Sequence, residues 1–225
     1  MSNYYSNKLY ANHLKQCYEI APIRVQQYLE AEVNHVIQKI HPGDMVLELG
    51  CGYGRVLLEL AKKAKWVIGI DTSFSSLLLG LEMLKDFSNC FLMRMNAIKL
   101  AFRDSIFDKI VCVQNGISAF HVNQKELIRE SIRVAKPGGT VLFSSYSDKF
   151  WDDRLEWFKL QIEAGLLGEI DYEKTQSGVI ICKDGFKATT VQAHQFLSLT
   201  RDFVADIEIV EVDESSMFCE IVPNK

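Results

Sequence analysis

The sequence of 225 residues lacks the features of two large functional classes. Its 25 Lys and Arg residues are fewer than its 29 Asp and Glu residues, which gives a formal net charge of −4. Proteins that bind nucleic acid usually carry an excess of basic residues, so we expect no nucleic-acid partner. No stretch approaches the roughly 20 apolar residues that a membrane-spanning helix needs, so we expect no membrane partner either.

The sequence also lacks secretion and metal-binding motifs. The first eight residues are too polar to contain the apolar region of a signal peptide. The six cysteines form no Cys-x-x-Cys pair, and the two-histidine pattern of a helical zinc site is missing. Four of the cysteines lie inside apolar segments, which is typical of buried, reduced thiols. These observations predict a cytoplasmic protein without disulfides and without a bound metal.

What the chain does contain is an alternation of strands and helices. A length of 225 residues fits one domain. Apolar strands separated by helices indicate a parallel sheet that is covered on both faces. Right-handed crossovers then make this a doubly wound sheet. The five predicted strands are Met45–Leu49, Trp66–Ile70, Asn89–Arg94, Phe107–Val113 and Thr140–Ser145.

The alternating pattern changes after Tyr146. A helical segment over residues 150–167 is followed by Asp184-Gly185, a strong two-residue hairpin signal. Two further strand segments, 204–212 and 217–222, are separated by a short polar turn and predict an antiparallel pair.

We therefore predict one α/β domain over residues 1–225. It contains a doubly wound, mostly parallel seven-stranded sheet with a C-terminal antiparallel strand pair, and a helix-and-hairpin insertion at 147–190 after the fifth strand. Ligands of such sheets bind at the carboxyl ends of the strands. We expect the insertion and the helical N-terminal segment, residues 1–40, to cover that edge as a lid.

The most informative segment joins the first strand to the helix after it. Three glycines occupy alternate positions, Gly50, Gly52 and Gly54, and the helix starts at Arg55. Glycine lets the backbone turn tightly and approach a ligand that a Cβ would keep away. The helix N-terminus offers free N–H groups and partial positive charge. Asp71 ends the next strand, where a carboxylate can accept both hydroxyls of a ribose. This arrangement predicts a site for a nucleoside-containing cofactor.

The glycine spacing distinguishes two kinds of cofactor. Dinucleotide-binding enzymes have Gly-x-Gly-x-x-Gly, whereas here the third glycine comes one position early and Glu48 precedes the loop. The pattern Glu-x-Gly-x-Gly-x-Gly resembles motif I of the class I S-adenosylmethionine-dependent methyltransferases, in particular their type 11 and type 25 groups. The resemblance covers residues 45–146 and continues at Asp71, at Asn96-Ala97 and at Arg133–Thr140.

The resemblance implies S-adenosylmethionine as cofactor and S-adenosylhomocysteine as product. Asn96-Ala97 lies at the family's adenine position, and the Asn96 side-chain oxygen can accept the hydrogen bond that the more common Asp accepts. The main-chain carbonyl of Gln114 or Asn115 is expected to accept from the amino group of the cofactor. The residues that the resemblance places at the cofactor are Glu48, Gly50, Cys51, Gly52, Gly54, Asp71, Thr72, Asn96, Ala97, Gln114 and Asn115.

A second resemblance concerns Arg24. The segment Ala21–Leu29 resembles the Asn-Pro-x-Arg-x-x-Tyr-Ile helix of the O-methyltransferases of ubiquinone synthesis, in which the arginine contacts the methionine carboxylate of the cofactor. This resemblance implies the same contact for Arg24. The alternative is a solvent-exposed helix residue without a role in binding.

The methyl acceptor is less well defined by the sequence, because methyl transfer mainly requires alignment and exclusion of water. The chain lacks the Asn/Asp-Pro-Pro-Tyr/Phe motif that enzymes of this fold carry when they methylate DNA adenine or a glutamine amide. His121 is a candidate general base, or else a capping or solvent-exposed residue. Tyr146, just past the fifth strand, is a second catalytic candidate because it points towards the ligand crevice.

Two groups of residues in the insertion have alternative interpretations. Trp151, Trp157 and Phe158 belong either to the core or to an acceptor pocket. Asp148, Asp152 and Asp153 are better explained as an acidic helix start than as a metal site.

Taken together, these patterns predict an enzyme that transfers a methyl group from S-adenosylmethionine to a small-molecule acceptor. Two alternatives keep the same cofactor: methylation of a protein or a macromolecular end group, and a cofactor-binding protein without transferase activity. A nicotinamide-dependent enzyme is disfavoured by the glycine spacing. A monomer and a homodimer are both compatible with the sequence.

Overall fold

The computed structural model describes residues 10–224, which include nine strands. The strands are β1 (Met45–Leu49), β2 (Trp66–Asp71), β3 (Cys90–Arg94), β4 (Phe107–Cys112), β5 (Ala135–Tyr146), β6 (Val179–Ile181), β7 (Lys187–Thr189), β8 (Ala205–Val212) and β9 (Ser216–Pro223). Seven of them form one sheet in the order β3-β2-β1-β4-β5-β9-β8, and β6 pairs with β7 in a separate hairpin. The first five strands in this order, β3, β2, β1, β4 and β5, are parallel, whereas β9 is antiparallel to both β5 and β8. The predicted fold class is therefore confirmed.

Helices connect the strands and cover both faces of the sheet. They are α1 (Asn12–Glu19), α2 (Ile23–Gln38), α3 (Arg55–Ala61), α4 (Phe74–Met83), α5 (Gly116–Ala119), α6 (Gln124–Val134), α7 (Trp151–Glu163) and α8 (Ala193–Thr200). Successive residues of a strand point to opposite faces. In β1, Leu47 belongs to one apolar cluster with Leu127 of α6, and Val46 belongs to another with Leu57 of α3. Strand β1 therefore has apolar residues on both faces, and both of its faces are buried.

Strand β5 begins earlier than the sequence pattern predicts. The segment Pro137-Gly138-Gly139, which precedes the predicted strand Thr140–Ser145, lies within it. Along β4, Phe107 pairs with Ala135, but Lys109 already pairs with Thr140, so the register shifts between the two pairs. The strand accommodates the glycine-rich turn as an irregularity of the β-bulge type, and pairing continues on either side.

The insertion after β5 packs against the N-terminal helices. Cys17 of α1, Phe158 of α7 and Ile180 of β6 share one buried apolar cluster. The indole Nε1 of Trp157 in α7 donates a hydrogen bond to the main-chain oxygen of Cys17 at 2.8 Å. These contacts hold α1 and α7 together near Tyr146, the last residue of β5.

Within residues 10–224, no helix combines the length and the apolar character that crossing a membrane requires. No group of three or more His, Cys, Asp and Glu side chains in that range is arranged to hold a metal ion. All six cysteines are free thiols, and five of them are buried.

Candidate active site

A cavity of about 860 Å³ opens at the carboxyl ends of the parallel strands. Strand β1 lies between β2 and β4 in the sheet, so the cavity lies at the point where the strand order reverses. Its lining combines the segments that follow β1, β2, β3 and β4 with residues of α1, α7 and the β6–β7 hairpin. Sites for small molecules commonly have volumes of about 300–1,000 Å³. The size and the position both fit a ligand site.

The glycine loop forms the floor of the cavity at the end of β1. Gly50 and Gly52 have left-handed backbone conformations, with φ of 71° and 55°. A Cβ on Gly50 would lie 2.4 Å from the ring of Phe120, and one on Gly52 would lie 3.0 Å from a methyl group of Leu14. The loop therefore needs glycine for its backbone and for the side chains that approach it.

Asp71 connects the glycine loop to the end of β2. Its carboxylate accepts hydrogen bonds from the main-chain N–H of Gly52 at 2.9 Å and of Ser73 at 2.7 Å. Burial raises the pKa of Asp71, and these N–H donors oppose that shift. On the same side of the cavity, Asn96 follows β3 and its Oδ1 accepts from the N–H of Ile98 at 3.1 Å.

A small polar pocket of about 40 Å³ adjoins the glycine loop, with Glu48, Arg55 and Gln114 in its lining. Among the described residues, four buried polar atoms here have no hydrogen-bond partner: Oε2 of Glu48, Nε and Nη2 of Arg55, and Nε2 of Gln114. Burial raises the pKa of Glu48 to about 8, although the nearby Arg55 guanidinium opposes the shift. Buried polar groups in folded proteins are nearly always hydrogen-bonded. A zwitterionic group bound in this pocket would supply hydrogen-bond partners for the Glu48 oxygen and for the three nitrogen atoms of Arg55 and Gln114.

Helix α1 covers this polar pocket. The Tyr18 hydroxyl donates to Oε1 of Gln114 at 2.9 Å. The Arg55 guanidinium lies 4.8 Å from the centre of the Tyr18 ring, within the range of a cation–π contact. Tyr18 therefore touches two of the three polar residues that line the pocket.

A buried carboxylate, Glu32 of α2, holds the turn after β4. Gln114 and Asn115 both have left-handed backbones, with φ of 55° and 61°. Oε2 of Glu32 accepts from the N–H of Gln114 at 2.9 Å, and Oε1 accepts from the hydroxyl of Ser216 at 2.8 Å. Left-handed residues other than glycine are uncommon and cost free energy, so the turn needs such external support. Sequence analysis missed Glu32, although a lone glutamate on the apolar face of α2 was a visible signal.

Asn115 belongs to a second polar network that links β5 to the insertion. Its Oδ1 accepts from the Ser145 hydroxyl at 2.7 Å, and its Nδ2 donates to the main-chain oxygen of Thr189 at 2.8 Å. Ser145 in turn accepts from the N–H of Val191 at 2.8 Å. The side chain of Asn115 is used within the protein and does not line the cavity.

The structure does not bring Arg24 to the cavity. Its guanidinium donates to Oδ2 of Asp213 at 2.6 Å and to the main-chain oxygen of Asp213 at 2.7 Å. It also lies 5.2 Å from the centre of the Phe150 ring. Gly54, which starts α3, is likewise outside the lining. The other residues predicted at the cofactor line one or both spaces: Glu48, Gly50, Cys51, Gly52, Asp71, Thr72, Asn96, Ala97 and Gln114.

Both catalytic candidates line the cavity. Burial raises the pKa of Tyr146, with the Arg154 guanidinium opposing it from 4.3 Å above the ring, so the hydroxyl stays protonated at neutral pH. Burial and, secondarily, the charge of Lys187 lower the pKa of His121. The imidazole is therefore mainly neutral at pH 7 and able to accept a proton. His121 also has a left-handed backbone, with φ of 51°.

Two aromatic residues of α7 belong both to the core and to the lining of the cavity, whereas Trp151 is absent from that lining. Trp157 and Phe158 are each 5% exposed, and both line the cavity. The acidic residues at the start of the helix lie elsewhere. Both carboxylate oxygens of Asp148 accept from Nε2 of Gln192 at 3.1 Å, and Asp148, Asp152 and Asp153 are absent from the lining.

Comparison with known proteins finds a family match over the first part of the sheet. Residues 46–139 match a family described as "Methyltransferase domain". The demethylmenaquinone methyltransferase of Mycobacterium marinum is 31% identical over 109 residues, which are 48% of this chain and 44% of that protein. An uncharacterized protein of Methanocaldococcus jannaschii is 30% identical over 138 residues, 61% of this chain and 50% of that protein. The matches span about half the length of these curated relatives.

Solved structures with the same fold extend over nearly the whole chain. The PH0226 protein from Pyrococcus horikoshii has a TM-score of 0.66 at 19% identity and covers 99% of each chain. The N-methyltransferase NodS from Bradyrhizobium japonicum, solved with S-adenosylhomocysteine, has a TM-score of 0.63 at 14% identity and covers 97% of this chain and 100% of its own. The fold is thus that of the Rossmann-like class I methyltransferases. Together with the family match over residues 46–139, this confirms the predicted resemblance to the class I S-adenosylmethionine-dependent methyltransferases.

Proposed function

We propose that this protein binds S-adenosylmethionine in the cavity and transfers its methyl group to a small molecule bound beside it. The observation that carries the proposal is the set of unpartnered buried atoms on Glu48, Arg55 and Gln114, next to the glycine loop. When bound, S-adenosylmethionine supplies an electrophilic methyl group, and the acceptor's lone pair forms the new bond as the carbon–sulfur bond breaks to leave S-adenosylhomocysteine.

The polar pocket fits the amino-acid end of this cofactor. A carboxylate at Glu48 can accept from an α-ammonium group, and the donors of Arg55 and Gln114 can bind an α-carboxylate. Hydrogen bonds between ionised partners are short and strong, especially where water is excluded. We therefore assign the carboxylate contact to Arg55, because Arg24 pairs with Asp213 outside the cavity.

The part of the cavity beside Asp71 fits the nucleoside. Asp71 lies at the end of β2, where its carboxylate can accept from ribose hydroxyls while Gly52 and Ser73 hold it in place. Thr72, Asn96 and Ala97 form the adjoining wall and are proposed to contact the adenine.

Protein groups for the transfer itself are proposed in three roles. Helix α1 and the insertion are proposed to form a lid that excludes water, since Tyr18 and Trp157 both line the cavity. Tyr18 connects α1 to Gln114 after β4, and Trp157 connects α7 to Cys17 of α1. His121 is proposed to accept the acceptor's proton where the nucleophile is a hydroxyl group. Tyr146, protonated at neutral pH, is proposed to orient the acceptor by a hydrogen bond.

Calorimetric titration with S-adenosylmethionine and with S-adenosylhomocysteine tests the cofactor. We expect micromolar binding of both and at least tenfold weaker binding to Asp71→Asn, which keeps the shape of the side chain but loses the charge. Asp86→Asn makes the same chemical change at a residue outside the cavity lining, so it serves as the control. A folded protein that binds neither compound would refute the proposal. Binding without formation of S-adenosylhomocysteine from any tested acceptor would favour the non-catalytic alternative.

A further inference from the structure

The acceptor side of the cavity has aromatic walls. Tyr146 ends β5, Trp157 and Phe158 lie on α7, and Phe186 belongs to the β6–β7 hairpin. All four side chains are buried, with Phe186 only 1% exposed. The rings of Phe158 and Phe186 are 5.7 Å apart between their centres. Walls of this kind bind flat, apolar ring systems by burial and by ring–ring contacts.

The charges around the cavity are divided between its two sides. In the lining formed by the described residues, Asp71 is the one carboxylate, and it lies on the cofactor side where it accepts from Gly52 and Ser73. Lys187 of β7 is the one lysine or arginine, and it lies on the acceptor side with the aromatic walls. The acceptor side thus has a cation and no acidic group.

Lys187 differs from two other lysines of the insertion, which form ion pairs. Lys174 pairs with Asp171 at 2.7 Å, and Lys183 pairs with Glu169 at 2.8 Å. Within residues 10–224, Lys187 has no carboxylate partner, and its charge instead lowers the pKa of His121. Two basic side chains, His121 and Lys187, therefore line the same cavity, and Asp71 is the one carboxylate among the described residues of its lining.

We propose that the acceptor is a ring-bearing anion whose flat body lies between the aromatic walls and whose anionic group pairs with Lys187. The inference rests on the proposed function, because it takes the remaining part of the cavity as the acceptor site. It narrows the acceptor to compounds that combine an aromatic ring with a carboxylate or a similar charge. The charge of Lys187 disfavours cationic ring compounds of the same size.

Three probes with the same phenol ring test the charge preference: 4-hydroxyphenylacetate, its neutral amide 4-hydroxyphenylacetamide, and the cationic 4-hydroxyphenethylamine. Each is titrated into protein saturated with S-adenosylhomocysteine. One partly exposed ion pair changes an affinity by about two- to fivefold, so the carboxylate should bind two- to fivefold more tightly than the amide. The amine should bind most weakly.

Variants of the hairpin lysines locate the preference. Lys187→Met should remove the advantage of the carboxylate over the amide, and Lys187→Arg should retain it. Lys183→Met, on the same hairpin but outside the lining, should leave it unchanged. Equal or tighter binding of the amide or the amine would overturn the inference, as would failure of all three probes to bind. Binding of S-adenosylhomocysteine is measured first: its loss refutes the proposed function, whereas its presence without selection for the anion refutes only this inference.

Discussion

The variant Arg55→Met tests how the cavity holds the amino-acid end of the cofactor. It removes the guanidinium, whose Nε and Nη2 are buried without a partner among the described residues, and keeps an unbranched side chain under Tyr18. A hydrogen bond to a charged group contributes about 1.5–3 kcal/mol, which corresponds to about 10- to 150-fold in a dissociation constant at 25 °C. We expect the dissociation constant of S-adenosylhomocysteine to rise by that factor.

The same variant should not destabilise the ligand-free protein. A buried donor without a partner costs about 1–3 kcal/mol, so its removal offsets the loss of attraction to Glu48. Without the guanidinium the pKa of Glu48 rises further, and its carboxyl group is neutral at pH 7. The free energy of unfolding in urea should therefore stay unchanged or increase, while calorimetry shows the loss of affinity.

Arg24→Met serves as the matched control because Arg24 pairs with Asp213 away from the cavity. It should bind S-adenosylhomocysteine like the unchanged protein. The reasoning is refuted if Arg24→Met weakens binding and Arg55→Met does not. A lower free energy of unfolding for Arg55→Met at unchanged affinity would show that Arg55 has a structural role instead.

Four further predictions concern other parts of the site. Glu48, with a pKa of about 8, is mainly protonated at pH 7, so binding of the cofactor's ammonium group should release nearly one proton from it. The measured binding enthalpy should therefore vary with the ionisation enthalpy of the buffer. In the Glu48→Gln variant this dependence on the buffer should disappear. Because this folded-state pKa exceeds the unfolded value, Glu48 should also reduce stability as the pH rises from about 4.5 to 8. Glu32→Ala leaves the Gln114 N–H unpaired and should lower the free energy of unfolding by about 1–3 kcal/mol, unlike exposed Glu30→Ala; equal effects would contradict the role of Glu32. Deleting residues 1–20 should weaken S-adenosylhomocysteine binding several-fold, and unchanged affinity and turnover would show that α1 is not a lid.

The parts of the site that the sequence predicts are those built from short segments. The glycine loop follows β1 directly, Asp71 ends β2, and Asn96 lies two residues after the end of β3. Because parallel strands bring their carboxyl ends to one edge, correct strand boundaries place these residues together without any knowledge of side-chain packing. The doubly wound order follows from the same local alternation, which explains why the fold is predictable in detail.

Residues whose role depends on distant partners could not be predicted in this way. Arg24 lies 189 positions before Asp213, and the turn between β8 and β9 brings the two together. Glu32 reaches Gln114 across 82 positions, and Asn115 reaches Thr189 across 74. A helical pattern shows that a residue lies on a helix, but the neighbour of each helix face depends on how the helices pack on the sheet.

Arg55 illustrates the same difference from the opposite side. The sequence shows it only as the first residue of a helix after a glycine loop, where a solvent-exposed arginine would be equally acceptable. Packing of α1 over the loop places Tyr18 on the guanidinium, whose Nε and Nη2 are buried. A cation that is buried without a partner is costly, and it persists where binding of an anion compensates for it. The cost of leaving Arg55 unpaired is thus itself the argument that a carboxylate belongs in this pocket.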